Sequence, residues 1–213
     1  MTEPPVEAGV GEVRPAPRRT GRPHFDAIVS ISAIFISAVS LFVAIEHGKT
    51  ERDLVAANVW PFLREIRSNG YGAESGIAIG YSNVGVGPAK VRSFEVFYRG
   101  QPVSSDVDLL RKCCGLPNDN AGMVQALPKG LYYSVADEIV LKSGEENPVL
   151  IVHRVPSAPD IPNRFQAALR ELSFRVCYCS VLDQCWTSNL QSTHTQPVRE
   201  CRAPEHRYDP NAR

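Results

Sequence analysis

The feature that most constrains this chain is an uncharged apolar stretch from Ala27 to Ile45. Its 19 residues lie between Asp26 and Glu46, and as a helix they extend about 28 Å, close to the hydrocarbon thickness of a bilayer. A buried core helix normally has a polar face, and a signal peptide has a shorter apolar region followed by a cleavage site of small residues. The stretch therefore predicts an uncleaved signal anchor, a transmembrane helix over residues 25–46.

Basic residues beside the span predict its orientation. The fifteen positions after it hold two lysines or arginines, whereas the fifteen before it hold four, namely Arg14, Arg18, Arg19 and Arg22. Because the more positive flank stays in the cytoplasm, we expect a single-pass protein of the cytoplasmic (inner) membrane with its C-terminal portion in the periplasm or otherwise outside. Residues 1–24 contain five prolines and no periodic apolar pattern, so they are expected to form a disordered cytoplasmic tail.

Small side chains recur along one stripe of the predicted span at spacings of 3, 4, 3 and 4. Such a stripe lets two helix backbones approach closely, so we expect the span to contact the lipid bilayer and to allow a homodimer. Because 8 of the 19 span residues are Ala or Ser, a stripe of this length also arises by chance. Its members are Ser30, Ala33, Ser37, Ser40 and Ala44.

Beyond the span the sequence has the pattern of short strands. Thr50, with Asp53 three residues later, predicts a helix start, so residues 47–58 are expected to be a juxtamembrane helix or linker. Alternating apolar residues and Gly or Pro turns then predict a mainly β fold, an antiparallel sandwich over residues 59–190, with a bulge near Arg92. Strands are expected at 76–83, 89–98, 135–141, 148–155 and 171–181.

Two short helical insertions interrupt the strand pattern. Ser105 is a candidate cap for a helix that Gly115 ends, with acidic residues in its first turn and basic residues in its last. A second helix is expected over residues 163–170, with one apolar face against the sheet. Residues 191–213 are rich in polar side chains and are expected to form a polar, disordered C-terminal tail.

Several local motifs resemble known proteins. The run Asn83–Ala89 (NVGVGPA), followed by a strand and the turn Arg99-Gly100-Gln101, resembles the early strands of immunoglobulin-like bacterial surface modules. Together with the span, the segment Val59–Leu63 and a late cysteine-bearing strand that ends in Trp186, the chain is similar to uncharacterised bacterial single-pass membrane proteins. The resemblance covers about residues 25 to 190. It implies an exported immunoglobulin-like sandwich and no catalytic residues.

Six cysteines outside the cytoplasm are expected to form structural disulfides. In the strand ELSFRVCYCSV, alternation places Cys177 and Cys179 on the face opposite Phe174 and Tyr178. The first candidate pair is Cys179 with Cys185, across a tight turn that requires a left-handed Asp183. Six cysteines allow fifteen complete pairings, so the partners of the others stay open; those others are Cys177, Cys201, Cys113 and Cys114.

Thiol redox chemistry is one alternative use of these cysteines, either at Cys113 and Cys114 or at Cys177 and Cys179. The predicted helix places the first pair at its C-terminal end, where the helix dipole opposes a thiolate, and the chain has no CxxC motif. The second alternative is a zinc or copper(I) site of an envelope metal-binding protein, although its spacing does not match the usual paired ligands. Its ligands would be Cys177, Cys179, Cys185 and one of His194, Cys201 or His206.

The composition narrows the function classes. Lys and Arg total 23, as do Asp and Glu, so no overall positive charge favours nucleic acid as a partner. The chain has no GxSxG motif, no phosphate-binding loop and no HExxH motif, and no cofactor is expected. We therefore expect a non-catalytic, membrane-anchored interaction or accessory module, with a protein partner that the sequence does not identify.

Overall fold

Antiparallel strands follow a long N-terminal helix. A computed structural model describes residues 23–73, 75–210 and 212, so the predicted tail of residues 1–24 lies outside the described residues except for its last two. The strands, in chain order, are β1 (Leu63–Tyr71), β2 (Gly76–Asn83), β3 (Ala89–Tyr98), β4 (Gln101–Val103), β5 (Leu131–Tyr133), β6 (Ile139–Leu141), β7 (Glu146–Val152), β8 (Leu172–Cys179), β9 (Cys185–Ser188) and β10 (Gln196–Val198).

The helices separate these strands into groups. In chain order they are α1 (Pro23–Asn58), α2 (Asp106–Cys114), α3 (Asn120–Ala126) and α4 (Asp160–Ala168), which a single 3-10 turn joins to β8. The Ser105 hydroxyl caps α2 by accepting the Asp108 amide, and Gly115 ends it in a left-handed conformation, both as expected. The second predicted helix begins three residues earlier than its expected start at 163, because proline is compatible with a first helical turn and Pro162 lies there. The helix α3 was not predicted from the sequence.

α1 is one continuous helix, which corrects the predicted separation of residues 47–58 from the span. Thr50 does not cap a new helix: its hydroxyl donates to the Glu46 carbonyl at 3.1 Å, a bond made by residues inside helices. A Lys49–Glu46 ion pair of 2.7 Å bridges the same turn. α1 is long and apolar enough to cross a membrane, and its most apolar stretch is not buried.

The strands form two sheets whose paired strands all run antiparallel. The first has the order β1-β2-β7-β5, and the second has the order β10-β9-β8-β3-β4, with β6 beside the start of β3. A bulge in β3 between Val91 and Ser93 coincides with the expected irregularity near Arg92. Because of this bulge, Val91 and Phe94 enter the same core in spite of their odd spacing.

Aromatic rings from both sheets meet in one hydrophobic core. The ring centroid of Phe94 on β3 lies 5.1 Å from that of Tyr81 on β2 and 5.6 Å from that of Phe174 on β8. These distances are typical of packed aromatic pairs. The alternating apolar residues of β2, β3 and β8 that were expected to share a face all belong to this core.

Asn83 connects the start of the domain to both sheets. Its side-chain amide donates to the carbonyls of Gly87 and Leu141, and its carbonyl oxygen accepts from the Phe62 and Gly85 amides. A Cβ atom at Gly85 would lie 2.3 Å from the Phe62 nitrogen, so only glycine allows this approach. The NVGVGPA motif therefore holds the first segment of the domain against β2 and the turn after β6.

The C-terminal segment, residues 191–210, is part of the fold, which corrects the predicted disordered tail and the predicted domain end at residue 190. β10 pairs with β9, and the Asp209 amide donates to the Ser104 carbonyl at 2.9 Å. Tyr208 is fully buried, its ring lies edge-on to Phe94 with centroids 6.1 Å apart, and its hydroxyl donates to Asp106. The few apolar residues of this segment, Val198, Cys201, Ala203 and Tyr208, give no periodic signal, so its packing was not predicted from the sequence.

Burial places the Asp106 carboxyl in an unusual protonation state. The side chain is 1% exposed, and its Oδ2 has no hydrogen-bond partner among the described residues. Desolvation raises the pKa of Asp106 to about 7, and the hydrogen bond from Tyr208 only partly opposes this effect. Between the ordinary value of 3.8 and about 7, the folded domain keeps a proton that the unfolded chain has lost.

The stability of the domain should therefore decrease as pH rises. The contribution of Asp106 is complete below about pH 4 and is lost as pH rises through about 7, at up to ~1.4 kcal/mol of unfolding free energy per pH unit. We expect this decrease between pH 5 and 7 in denaturant unfolding followed by tryptophan fluorescence, and its absence in D106N. The control D108N should keep it, because the pKa of Asp108 is lowered, not raised. An unchanged pH dependence in D106N would exclude Asp106 as its origin.

Candidate functional site

Strand alternation separates the cysteines of β8 from the core. Phe174, Val176 and Tyr178 point into the core, whereas Cys177 and Cys179 lie on the other face and take no part in it. Both cysteines are nevertheless 5% exposed. They are buried there because the C-terminal segment passes over this face of β8, which the sequence analysis did not predict.

A tight turn joins Cys179 to Cys185. The two residues are direct neighbours across the β8–β9 pair, and their sulfur atoms are bonded at 2.06 Å, the pairing that the sequence analysis placed first. Asp183 has a left-handed φ of 58°, as this turn requires, and its carboxylate accepts from Lys90 at 2.6 Å. The Ser180 hydroxyl accepts the Gln184 amide at 3.3 Å inside the turn. The turn is therefore held by its own polar groups as well as by the disulfide.

A second disulfide joins Cys177 to Cys201 of the C-terminal segment, with an S–S distance of 2.04 Å. The sequence left this pairing open. β10 pairs with β9 on the edge of the second sheet and so directs the following residues back across β8, where Cys201 meets Cys177. This disulfide attaches the segment that carries Tyr208 to the second sheet.

The two disulfides touch. The Cys179 sulfur lies 3.7 Å from the Cys201 sulfur, and the sulfurs of Cys179, Cys185 and Cys201 all lie within 4.8 Å of one another. We call Cys177, Cys179, Cys185 and Cys201 the four-cysteine cluster. Three sulfurs at this spacing suit a soft metal ion only as thiolates, because a disulfide sulfur is not the thiolate that such an ion binds. The three-sulfur group includes neither His194 nor His206, the histidines considered from the sequence.

A charged groove of about 670 Å³ borders the cluster. Four arginines and four carboxylates line it beside Cys179, Cys185 and Cys201. Arg92 pairs with Glu138 and Arg207 with Asp137, whereas Arg199 makes no ion pair with any residue that the structure describes. Arg202, next to Cys201 in the chain, likewise has no ionic partner among the described residues. The sequence run Arg-Glu-Cys-Arg at 199–202 is the signal that could have identified this groove.

The remaining pair, Cys113 and Cys114, is bonded at the C-terminal end of α2. Because these residues are adjacent, their disulfide closes almost no loop and links no separate segments. Cys114 is fully buried, and its carbonyl accepts from Arg164 of α4 at 3.0 Å. The pair therefore lies in the packing between two helices.

In comparisons, the chain matched no protein-family model, no curated protein and no solved structure.

The other sequence-predicted residues belong to the N-terminal part of the chain. The small-residue stripe of Ser30, Ala33, Ser37, Ser40 and Ala44 is exposed along α1, and the Ser30 and Ser37 hydroxyls donate to carbonyls one turn earlier. These two hydroxyls are therefore satisfied within the helix. Self-association through it stays a prediction. The basic cluster Arg14, Arg18, Arg19 and Arg22 lies outside the described residues.

The three disulfides should differ in their contribution to stability. The separations of 24, 6 and 1 residues predict losses of about 3.5 kcal/mol for C177A/C201A, about 2.3 kcal/mol for C179A/C185A and ~1 kcal/mol or less for C113A/C114A. Denaturant unfolding of the three double variants measures this order. C113A/C114A is the matched control, since it also removes two cysteines. A loss for C177A/C201A no larger than that of the control would contradict the predicted role of Cys201.

Proposed function

We propose that this protein is a membrane-anchored, non-catalytic interaction or accessory module that displays its two-sheet domain outside the cytoplasmic membrane. α1 anchors the chain, the N-terminus stays inside, and the domain is held in the periplasm or an equivalent oxidising space. A protein partner at the membrane surface is the ligand of the module. The observation that carries the proposal is the combination of an exposed apolar helix with a domain in which no cysteine is free.

The helix supports anchoring through its length and its lack of burial. Exposed large apolar side chains run from Phe25 to Ile45 along α1. A soluble chain rarely exposes so much contiguous apolar surface, whereas a bilayer covers it without cost. The distribution of lysine and arginine around the span supports the orientation.

The cysteines support the compartment. All six are in disulfides, and two of these bonds join strands or segments of the second sheet. Disulfides of this structural kind persist in oxidising spaces and are rare in the bacterial cytoplasm. The orientation inferred from the charges and the compartment inferred from the cysteines are independent and agree.

The domain is proposed to be immunoglobulin-like. Two antiparallel sheets that share one core are the architecture of that class, and the resemblance of NVGVGPA to its early strands supports the assignment. Because sandwich folds host many unrelated functions, this assignment concerns the architecture alone. The zero formal net charge gives no support to nucleic acid as the partner.

Topology is the testable core of this proposal. A phosphatase that folds only after export, fused after Arg213, should be active, and a fluorescent protein that folds only in the cytoplasm should be dark at the same position. Replacing Arg14, Arg18, Arg19 and Arg22 by Gln leaves no lysine or arginine before the span and two in the fifteen positions after it, so most of the phosphatase activity should be lost. The control R52Q, which removes a basic residue from the other flank, should keep it. Fluorescence without phosphatase activity in the unmodified chain would overturn the proposal.

A further inference from the structure

We propose that the four-cysteine cluster is a thiol-disulfide exchange site that accepts two electrons from a dithiol and moves the bond of Cys201 from Cys177 to Cys179. The inference goes beyond the proposed accessory function, because it assigns the domain a redox reaction and a class of reactant. It rests on the 3.7 Å distance between the sulfurs of Cys179 and Cys201, which belong to different disulfides.

Accessibility decides where a reductant attacks. Cys177, Cys179 and Cys185 are buried, at 5%, 5% and 7% exposure, whereas Cys201 is partly exposed at the edge of the charged groove. Exchange requires direct contact between an incoming thiolate and a disulfide sulfur. The Cys201 sulfur is therefore the point of entry.

The reaction balances as a two-electron reduction. One thiolate of the dithiol attacks the Cys201 sulfur, breaks its bond to Cys177 and releases the Cys177 thiolate, which takes up a proton. The second thiol of the reductant displaces Cys201, and the reductant leaves as its own disulfide. The Cys201 thiolate then attacks the Cys179 sulfur 3.7 Å away, and Cys185 leaves as a thiolate and is protonated. The products are one Cys179–Cys201 disulfide, two thiols at Cys177 and Cys185, and one oxidised reductant.

The groove favours the thiolates that this sequence of steps needs. Arg199 and Arg202 lie on either side of Cys201 in the chain and line the groove with it, and neither has an ionic partner among the described residues. Glu200, between Arg199 and Cys201, lines the groove too and offsets part of their charge. Nearby guanidinium groups stabilise a thiolate relative to the thiol, which increases the attacking fraction of Cys201 and makes Cys185 a better leaving group. Cys113 and Cys114 lie at the C-terminal end of α2, where the helix dipole opposes a thiolate and the neighbouring Arg111 and Lys112 offset it only in part.

The exchange changes the attachment of the C-terminal segment. Cys177 and Cys179 are two positions apart on the same face of β8, so their Cα atoms are separated by about 7 Å along the strand. Moving the bond of Cys201 between them keeps the segment covalently attached but shifts its anchor. Tyr208 and its hydrogen bond to Asp106 lie in this segment, seven residues after Cys201. The redox state of the cluster is thereby connected to the packing of the core.

The variant C177S isolates the second step, because it leaves Cys201 as a free thiol beside an intact Cys179–Cys185 bond. We expect exchange without any reductant, so that the free thiol is shared between Cys201 and Cys185. After acid quenching and alkylation of the full chain in detergent, trypsin separates peptide 200–202, with Cys201, from peptide 176–199, with Cys179 and Cys185. At least about a tenth of peptide 200–202 should be disulfide-linked to peptide 176–199.

The matched control is C113S, which also leaves one free thiol but outside the cluster. Its free thiol should stay on Cys114, and peptide 200–202 should stay linked through Cys177. If the free thiol of folded C177S is found only on Cys201, the proposal is wrong. Thermal unfolding of both variants shows whether each is folded.

A second measurement does not depend on C177S folding. The unmodified chain is treated with one equivalent of dithiothreitol, quenched and mapped, and fragmentation between Cys177 and Cys179 identifies which of them holds Cys201. Alkylated Cys177 and Cys185 together with a Cys179–Cys201 bond support the exchange. If the Cys179–Cys185 bond stays intact in every molecule whose Cys177–Cys201 bond has been reduced, the proposed exchange is wrong. This outcome does not depend on the topology of the protein in the membrane.

Discussion

The covalent bond between Cys177 and Cys201 is the constraint on which the architecture of the domain depends. The C-terminal segment is polar and has little apolar surface of its own to hold it against the sheets. Once Cys201 is joined to β8, the short chain segment that follows it brings Tyr208 into the core beside Phe94. The loop-closure entropy removed from the unfolded chain offsets the cost of ordering this segment. The burial of Cys177 and Cys179, and the buried Asp106–Tyr208 contact, both follow from the same bond.

This dependence connects the fold to the membrane segment. A domain whose last segment is held by a disulfide needs an oxidising space, and the chain carries, before the domain, a helix long and apolar enough to reach one. In the proposed orientation, export and folding are successive requirements of the same molecule. The touching disulfides add a further property: the bond that closes the domain has a neighbouring sulfur, on Cys179, to which it can move. In this proposal the four-cysteine cluster both holds the C-terminal segment on the sheet and responds to a reductant.

Periodicity predicted those parts of the fold in which side-chain pattern and local structure agree. It predicted the apolar span, the core faces of β2, β3 and β8, the bulge near Arg92 and the capped helix α2, because each depends on neighbours within about ten residues. Periodicity failed for residues 191–210, where Cys201 and Tyr208 act through contacts with residues distant in the chain. It also failed at Thr50, since capping patterns do not distinguish a helix start from the interior of a longer helix. The Cys179–Cys185 pair was predictable because it spans one turn, whereas the groove beside it also depends on the Cys177–Cys201 pairing, which the sequence left open.

We propose that the domain folds in an oxidising space with Cys201 joined to β8. The decisive measurement traps all thiols of the full-length chain with an alkylating agent in intact cells, before lysis, and maps its cysteines in the isolated membranes. We expect no alkylated cysteine in most molecules, with peptide 200–202 linked to peptide 176–199. Six alkylated cysteines in a folded, membrane-bound chain would contradict it, because the domain would then be closed without its disulfides and in a reducing compartment.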